Sequence, residues 1–328
     1  MNDLKGLGTA LVTPFKADGS VDYEALARLL DTQLTGFVDY IVVLGTTGEA
    51  ATMTADEKRE VRHFIVNYVH HNHPSPISNH PSPISNHQSP ISNHQSPISN
   101  HQSPIPLVLG VGGNNTKQVV SELEAMKNEL ILDFSAILSV CPYYNKPNQE
   151  GLFQHFCAVA EASPIPVILY NVPGRTGVNL LPETVMRIYN AHPDKILGIK
   201  EASGNLDQIK HLIDLKNSLP FREGTGLGFL VISGDDGIAC ELMQAGAAGL
   251  ISVASNAFPE DFWHIVHDKD AALQSRYAET IRLLFAEGNP VGIKAVLAQK
   301  GIIQNHLRLP LVPASKDLQS QIQTVLRG

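Results

Sequence analysis

The chain has few of the residues that mark secreted or nucleic-acid-binding proteins. Its 328 residues include only three cysteines, Cys141, Cys157 and Cys240, and their spacing fits neither a metal site nor a redox pair. This small, odd number excludes a disulfide framework and indicates a reducing compartment. The formal net charge is −8, and no run of Lys and Arg offers a surface for nucleic acid.

Long apolar segments are also missing. No run approaches the roughly 20 residues needed to cross a bilayer. Residues 1–14 have neither the basic start nor the apolar core of a signal peptide. Hydrophobic residues make up 43% of the chain and charged residues 17%, which is typical of a folded soluble protein. These properties predict a cytoplasmic α/β protein without a membrane or nucleic-acid partner.

The most regular feature of the sequence is a tandem repeat. Residues 72–106 form five heptads of the type NHPSPIS or NHQSPIS, and the recurring proline interrupts any helix. One Ile per heptad cannot bury enough surface to offset the cost of ordering, so we predict an extended or disordered insertion over residues 72–105. Its histidines would lie about 20 Å apart in an extended chain, too far to share a metal ion.

Outside the repeat, short apolar runs alternate with amphipathic stretches. Eight runs predict strands: Leu7–Val12, Tyr40–Leu44, Pro106–Val111, Phe134–Val140, Pro166–Tyr170, Ile196–Lys200, Phe229–Ser233 and Gly249–Val253. Most lack strict alternation of apolar and polar residues, as expected of strands buried on both faces. Eight strand–helix units favour a closed (β/α)8 TIM barrel over an open doubly wound sheet.

The helical pattern continues beyond the last barrel helix. We therefore assign residues 1–270 to the barrel, interrupted by the insertion at 72–105, and residues 271–328 to a small C-terminal helical domain. The insertion and the glycine-rich stretch Glu223–Gly228 both precede predicted strands. We expect them on the face opposite the active site, since TIM barrels carry their chemistry on the loops that follow strands.

Five polar motifs follow the predicted strands. They are GTTGE, PYYN, YNVPGRTG, IKEASGN and SGDD, at residues 45–49, 142–145, 170–177, 199–205 and 233–236. Because the carboxyl ends of parallel barrel strands share one face, these motifs predict a single site.

Lys200 is the strongest catalytic candidate. An amine at the end of a buried strand loses hydration, which favours its uncharged, nucleophilic form. Tyr170 ends the adjacent strand and can move protons while a Schiff base forms. The alternatives are that Lys200 pairs with Glu201 or another carboxylate, and that Tyr170 serves only in packing.

Other polar residues at the strand ends suit anions. Thr46 and Thr47 offer hydroxyl and backbone N–H groups to a carboxylate. Arg175 has the planar guanidinium that binds a second carboxylate through two hydrogen bonds, although a surface ion pair is the alternative. Asp235 and Asp236 are candidates for a divalent ion, but helix capping is the favoured interpretation.

In this order the five motifs resemble the dihydrodipicolinate synthase family, within the pyruvate-dependent class I aldolase superfamily. The resemblance covers nearly the whole chain outside residues 72–105 and the stretch near 221–228. It implies condensation of pyruvate with L-aspartate 4-semialdehyde in diaminopimelate and lysine biosynthesis, through an imine on Lys200. It also implies a homotetramer built as a dimer of dimers, and no metal or organic cofactor.

The resemblance implies roles for the remaining candidates. Tyr170, Thr46 and Tyr144 would form a proton relay, with Tyr144 donated by a neighbouring subunit. Thr46 and Thr47 would hold the pyruvate carboxylate. Arg175 would bind the carboxylate of the semialdehyde.

Two further residues, Gly234 and Ile251, would line the pyruvate pocket. Arg175 favours a small carboxylated aldehyde, whereas N-acetylneuraminate lyase and 2-keto-3-deoxy sugar-acid aldolases on the same scaffold usually lack this arginine. A different class of function is a non-catalytic binding protein with residues 72–105 as a docking arm, but the intact set of candidate residues argues against it.

Lysine regulation is the point where the resemblance weakens. Lysine-inhibited members have a His and a Glu at positions that align with Lys58 and Gln118, whereas Tyr143 and Asn114 are retained. Losing a carboxylate partner for the lysine ammonium predicts poor feedback inhibition.

Overall fold

A computed structural model of the chain describes residues 4–72, 105–127, 130–219 and 228–327. The repeat insertion at 72–105, about which we made predictions, therefore lies outside the described residues except for its two end residues. The glycine-rich stretch also lies outside them, apart from Gly228.

Eight parallel strands close into a barrel in chain order, with the eighth strand paired to the first. The strands are β1 (Gly6–Ala10), β2 (Tyr40–Val43), β3 (Leu107–Gly110), β4 (Ala136–Val140), β5 (Val167–Asn171), β6 (Ile196–Glu201), β7 (Leu230–Ser233) and β8 (Gly249–Ser252). All eight predicted strands are present, and the predicted (β/α)8 barrel is confirmed.

The strand boundaries differ from the predicted ones by at most two residues. The largest differences are in β1, which ends at Ala10, and in β4, which begins at Ala136. Before β4, residues Leu130–Asp133 form a 3₁₀ turn, which ends just ahead of the predicted start of the strand at Phe134. Apolar runs alone do not show where the pairing of a strand begins or ends, because flanking residues are equally buried.

Helices lie between the strands and after the last one. They are α1 (Tyr23–Gln33), α2 (Ala55–Asn72), α3 (Thr116–Met126), α4 (Gln149–Ala162), α5 (Pro173–Thr176), α6 (Pro182–Ala191), α7 (Leu206–Asn217), α8 (Ala239–Ala245), α9 (Pro259–His267), α10 (Ala271–Arg276), α11 (Ala278–Phe285), α12 (Val291–Gln299) and α13 (Lys316–Arg327).

Local sequence explains where several helices begin. Helix α2 opens with a capping box, in which Thr54 and Glu57 each accept a hydrogen bond from the backbone N–H of the other. The side chains of Asn115 and Asn148 cap α3 and α4 in the same position. Pro182 occupies the first turn of α6, where its missing N–H costs no hydrogen bond.

The barrel interior is filled by one face of the strands. Tyr40, Ile168 and Ile251 belong to this inner cluster, while the other strand face packs against the helices. Gly8 is required opposite Tyr40, because a Cβ there would lie 2.2 Å from the tyrosine ring. The filled interior leaves the ends of the strands as the surfaces on which a substrate can bind.

Helices α10 to α13 form the predicted C-terminal helical region. Helix α13 packs against α11 and α12, and α12 is buried along almost its whole length. The division between the barrel and this region at residue 270 stays a prediction. Within the described residues, no helix has both the length and the apolar character that a membrane span requires.

Candidate active site

Lys200 and Tyr170 are neighbours at the carboxyl ends of β6 and β5. The two residues pair directly in the register of these strands, so their side chains leave the same face of the sheet. The Nζ atom of Lys200 lies 4.5 Å from the centre of the Tyr170 ring. Only 6% of Lys200 and 7% of Tyr170 is exposed. The predicted nucleophile and phenol therefore meet inside the barrel mouth.

Glu201 does not form an ion pair with Lys200, so the alternative interpretation in which Glu201 neutralises this lysine is wrong. Its buried carboxylate accepts hydrogen bonds from the Asn171 side chain at 2.9 Å and from the backbone of Ser203 at 2.7 Å. Gln208 adds a third donor at 3.1 Å. Burial raises the pKa of the Glu201 carboxyl, and these hydrogen bonds oppose the shift. Consecutive strand residues point to opposite faces, which explains the separation of Glu201 from its neighbour.

Of the two residues predicted to line the pocket, Gly234 lies beside Lys200, and Ile251 belongs to the inner cluster of the barrel. A Cβ at Gly234 would stand 2.8 Å from Cε of Lys200, so the glycine allows the lysine side chain its present position. The backbone N–H of Gly234 donates to the carbonyl of Glu201 at 2.8 Å. Ile251 is 1% exposed and belongs to the same inner cluster as Tyr170.

Thr46 and Thr47 form a 3₁₀ turn with Gly48, directly after β2. Thr47 is buried, and its hydroxyl accepts a hydrogen bond from the side chain of Asn289 at 2.9 Å. Thr46 is exposed. Leu44 and Glu49 flank the turn with φ values of 55° and 52°, in the left-handed region that is costly for such residues. Strained backbone of this kind persists where the surrounding structure holds it in place.

Asn289 is the residue at this site that sequence reasoning missed. It precedes α12, is 7% exposed, and its carbonyl oxygen accepts from Nη2 of Arg175 at 3.4 Å. Its Oδ1 atom is buried and has no hydrogen-bond partner among the described residues. The Gly-Asn-Pro sequence at 288–290 was the available signal, but it lies in the helical region assigned outside the barrel.

Arg175 and Tyr144 lie at the outer rim of the site. Arg175, on α5, is exposed and makes no ion pair within the described part of the chain, so the surface ion pair is not observed. Tyr144 is 88% exposed, has a φ of 74°, and donates its backbone N–H to the carbonyl of Thr176 at 3.4 Å. Between described residues, neither Tyr144 nor Thr46 hydrogen-bonds to Tyr170. A single chain thus brings together only part of the predicted relay.

The two aspartates after β7 have structural partners. Asp235 caps a short 3₁₀ turn by accepting from the N–H of Gly237 at 2.8 Å. Asp236 is buried and accepts from the Ser252 hydroxyl at 2.5 Å and from the N–H of Val253 at 3.0 Å. Burial raises the pKa of Asp236 to about 6. The favoured capping interpretation is confirmed for Asp235, and no group of metal-ligating side chains occurs within residues 4–72, 105–127, 130–219 and 228–327.

The two positions considered for lysine regulation lie on the helices that follow β2 and β3. Lys58 is in α2, and Gln118 is an exposed residue in the first turn of α3. The carbonyl of Asn114 accepts from the side chain of Asn145 at 2.8 Å, which links the loop that carries Tyr143 to the loop after β3.

Comparison with known proteins identifies relatives along the whole chain. Residues 3–74 and 96–328 match the Dihydrodipicolinate synthetase family, and the gap between the two matched segments, residues 75–95, falls inside the repeat insertion. A relative from Parabacteroides distasonis, named 4-hydroxy-tetrahydrodipicolinate synthase, is 44% identical over 332 residues. The alignment covers 99% of this chain and 97% of that protein.

Solved structures agree with the sequence match. The chloride-inhibited dihydrodipicolinate synthase from Acinetobacter baumannii, complexed with pyruvate, is 35% identical with a TM-score of 0.80 and covers 99% of this chain and 98% of its own. A monomeric dihydrodipicolinate synthase variant is 34% identical with a TM-score of 0.80, covering 98% of this chain and 96% of its own. From its eight-stranded barrel, its strand-end motifs and these similarities, the chain belongs to the dihydrodipicolinate synthetase family.

Proposed function

We propose that this chain is a 4-hydroxy-tetrahydrodipicolinate synthase, which condenses pyruvate with L-aspartate 4-semialdehyde through a Schiff base on Lys200. The observation that carries the proposal is the buried contact between Lys200 and Tyr170, in which the amine lies 4.5 Å from the ring centre. The name of the Parabacteroides distasonis relative supports this reaction over the cleavage of a sugar acid.

In the first half of the reaction, Nζ of Lys200 attacks the keto carbon of pyruvate, and the resulting carbinolamine loses water to give the imine. Tyr170 moves protons in this step. The pyruvate carboxylate binds to the turn at Thr46 and Thr47. Because the Thr47 hydroxyl accepts its hydrogen bond from Asn289, its own proton is free to be donated to the carboxylate.

In the second half, loss of a methyl proton converts the imine into an enamine, whose carbon attacks the aldehyde of the second substrate. The amino group of that substrate then displaces Lys200 from the imine carbon, which closes the ring and returns the free lysine. Arg175 binds the carboxylate of the semialdehyde, a role for which its exposed guanidinium at the rim is available. Gly234 and Ile251 line the pocket around the imine.

Tyr144 completes the relay in a neighbouring subunit of a cytoplasmic homotetramer. Two features support this: its side chain is 88% exposed, and its φ of 74° is unfavourable for a tyrosine. Because Tyr144 would act across a subunit interface, we expect activity to depend on assembly. Sedimentation should show a tetramer, and Tyr144→Phe should keep the tetramer while lowering the turnover rate. A fully active monomer would contradict this role.

We further propose that residues 1–270 are the catalytic barrel, that 271–328 are a helical domain, and that the insertion at 72–105 is dispensable. Helix α2 ends at Asn72 and β3 begins at Leu107, so the insertion joins the barrel before a strand, away from the candidate site. Deleting it should preserve catalysis. Loss of a partner without loss of activity would instead favour a docking arm.

Borohydride trapping tests the proposed function. The protein is incubated with pyruvate, reduced, digested and mapped by mass spectrometry. We expect the added mass on the peptide that contains Lys200, its absence from Lys200→Ala, and its retention in Lys210→Ala, a surface control. Turnover should require aspartate semialdehyde, whereas N-acetylneuraminate should not be cleaved. Labelling elsewhere, or none, would overturn the mechanism.

A further inference from the structure

A buried ion pair holds the end of the turn that carries Thr46 and Thr47. Glu49 follows this turn directly, with a φ of 52° and a side chain that is 1% exposed. Its carboxylate forms an ion pair with Nζ of Lys294, a residue of α12 whose side chain is fully buried. It also accepts the backbone N–H of Arg308 at 3.2 Å.

The surroundings of Lys294 fix its position as firmly as those of Glu49. Its Nζ donates to the carbonyl of His306 at 3.0 Å and lies 4.3 Å from the centre of the Phe15 ring. The guanidinium of Arg308 lies at the same distance from that ring. Burial lowers the pKa of Lys294 to about 8, and the adjacent Glu49 carboxylate opposes this shift.

The same C-terminal region also makes a contact with a residue of the turn itself. Asn289 precedes α12 and donates to the Thr47 hydroxyl, while Lys294 binds Glu49 two residues further along the loop. Two contacts from one region therefore hold a loop segment of three residues. Both partners of each contact are buried.

Stability alone does not account for the ion pair. Removing two charges from water costs about as much as their attraction returns, and well-packed apolar side chains often serve stability equally well. An ion pair does specify one geometry, because an alternative position of either partner leaves a buried charge without its counterion. Here the geometry that it specifies is that of a strained turn at the barrel mouth.

We propose that Glu49 and Lys294 are positioning residues that hold the turn Thr46–Gly48 for the carboxylate of the keto acid. This inference rests on the proposed function, because it assigns the turn to pyruvate. Neither residue touches the substrate. Loss of the pair should therefore weaken pyruvate binding, while the semialdehyde, whose carboxylate binds at Arg175, is affected little.

Four variants separate positioning from stability. Lys294→Met removes the ammonium from a side chain of similar length, and Glu49→Gln removes the charge of its partner while keeping an oxygen for the Arg308 N–H. The double variant contains no unpaired buried charge. Lys300→Met is the matched control, since Lys300 also lies over an aromatic ring, at 4.4 Å, and donates to a carbonyl at 2.6 Å, but away from the turn.

Each variant is measured for its melting temperature, for the KM of both substrates, and for the pyruvate concentration that gives half-maximal borohydride trapping. Lys294→Met should melt at a lower temperature, because it strands a buried carboxylate. In the double variant the melting temperature should recover, while the pyruvate concentration at half-maximal trapping stays about tenfold above wild type. The semialdehyde KM should stay within about twofold of wild type. Lys300→Met should match wild type in the semialdehyde KM and in the pyruvate concentration at half-maximal trapping.

Recovery of both stability and pyruvate affinity in the double variant would overturn the inference and leave the pair with a purely structural role. If the double variant does not fold, Glu49→Gln is used alone. A raised pyruvate concentration at half-maximal trapping would support the inference, and an unchanged one would overturn it. A different result would contradict the proposed function. In that case wild-type protein itself would trap no pyruvate on Lys200, whereas failure of this inference requires normal trapping in the wild type.

Discussion

Gly234 lies so close to the Lys200 side chain that a single added methyl group should displace the nucleophile. In Gly234→Ala, the new Cβ would be 2.8 Å from Cε and 3.2 Å from Cγ of Lys200, whereas ordinary contact begins at 3.4 Å. The lysine must therefore move by at least about 0.6 Å at Cε. Misplacement of a reacting group by about 1 Å costs about 100-fold in rate.

We therefore expect Gly234→Ala to form the imine about 10- to 100-fold more slowly, equivalent to about 1.4–2.7 kcal/mol. The assay mixes the protein with pyruvate, quenches with borohydride at fixed times and measures the labelled fraction. The melting temperature is recorded in parallel, because overpacking itself costs about 1–3 kcal/mol of stability.

Two controls separate the displacement of Lys200 from general crowding. The added Cβ would also lie 2.7 Å from Cβ of Ala202, so Ala202→Gly combined with Gly234→Ala relieves that contact and leaves the one with Lys200. We expect this double variant to regain stability and to remain slow. Gly228→Ala, at a position with no atom within 4 Å of the added Cβ, should behave as wild type. Imine formation by Gly234→Ala within about twofold of wild type would refute the reasoning.

Three further predictions concern specificity, acid stability and regulation. Arg175→Ala should raise the semialdehyde KM by about 30-fold, near 2 kcal/mol because the guanidinium is exposed, without changing pyruvate trapping. An equal effect on both substrates would contradict this. Hydrogen bonds from Arg308 lower the pKa of Glu57 to about 2. Because this pKa lies below the unfolded value of 4.5, the stabilisation is present above pH 4.5 and lost as pH falls to about 2. Glu57→Gln should therefore cost about 1–2 kcal/mol at pH 7 but little at pH 2, as measured by urea unfolding. With Lys58 and Gln118 in place of the His and Glu of lysine-inhibited members, free lysine should inhibit turnover poorly, and complete inhibition at micromolar concentration would refute this.

The barrel was predictable because its strands are buried on both faces and so read as short apolar runs. The site followed from one rule of the fold, that the carboxyl ends of the strands share a face. That rule placed Tyr170 beside Lys200, and the register of β5 and β6 bears it out. The separation of Glu201 from Lys200 is a consequence of strand geometry that residue types alone do not reveal.

What sequence reasoning missed comes from the C-terminal helical region. Asn289 reaches Thr47 across 242 residues, and no local pattern indicates a contact between such distant segments. The ion pair of Glu49 with Lys294 has the same origin, because the residues around Lys294 in the buried part of α12 are apolar and give no local sign of a charged partner. In the proposed relay Tyr144 comes from a second chain, and the fold of one chain contains no information about such a contact.

The most direct measurement of the central claim is a crystal structure of the protein after reduction with borohydride in the presence of pyruvate. We expect electron density continuous from Nζ of Lys200 to the former keto carbon, and the carboxylate within hydrogen-bond distance of the Thr47 hydroxyl. Density joined to another side chain, or a carboxylate bound away from the turn at Thr46–Gly48, would contradict the account.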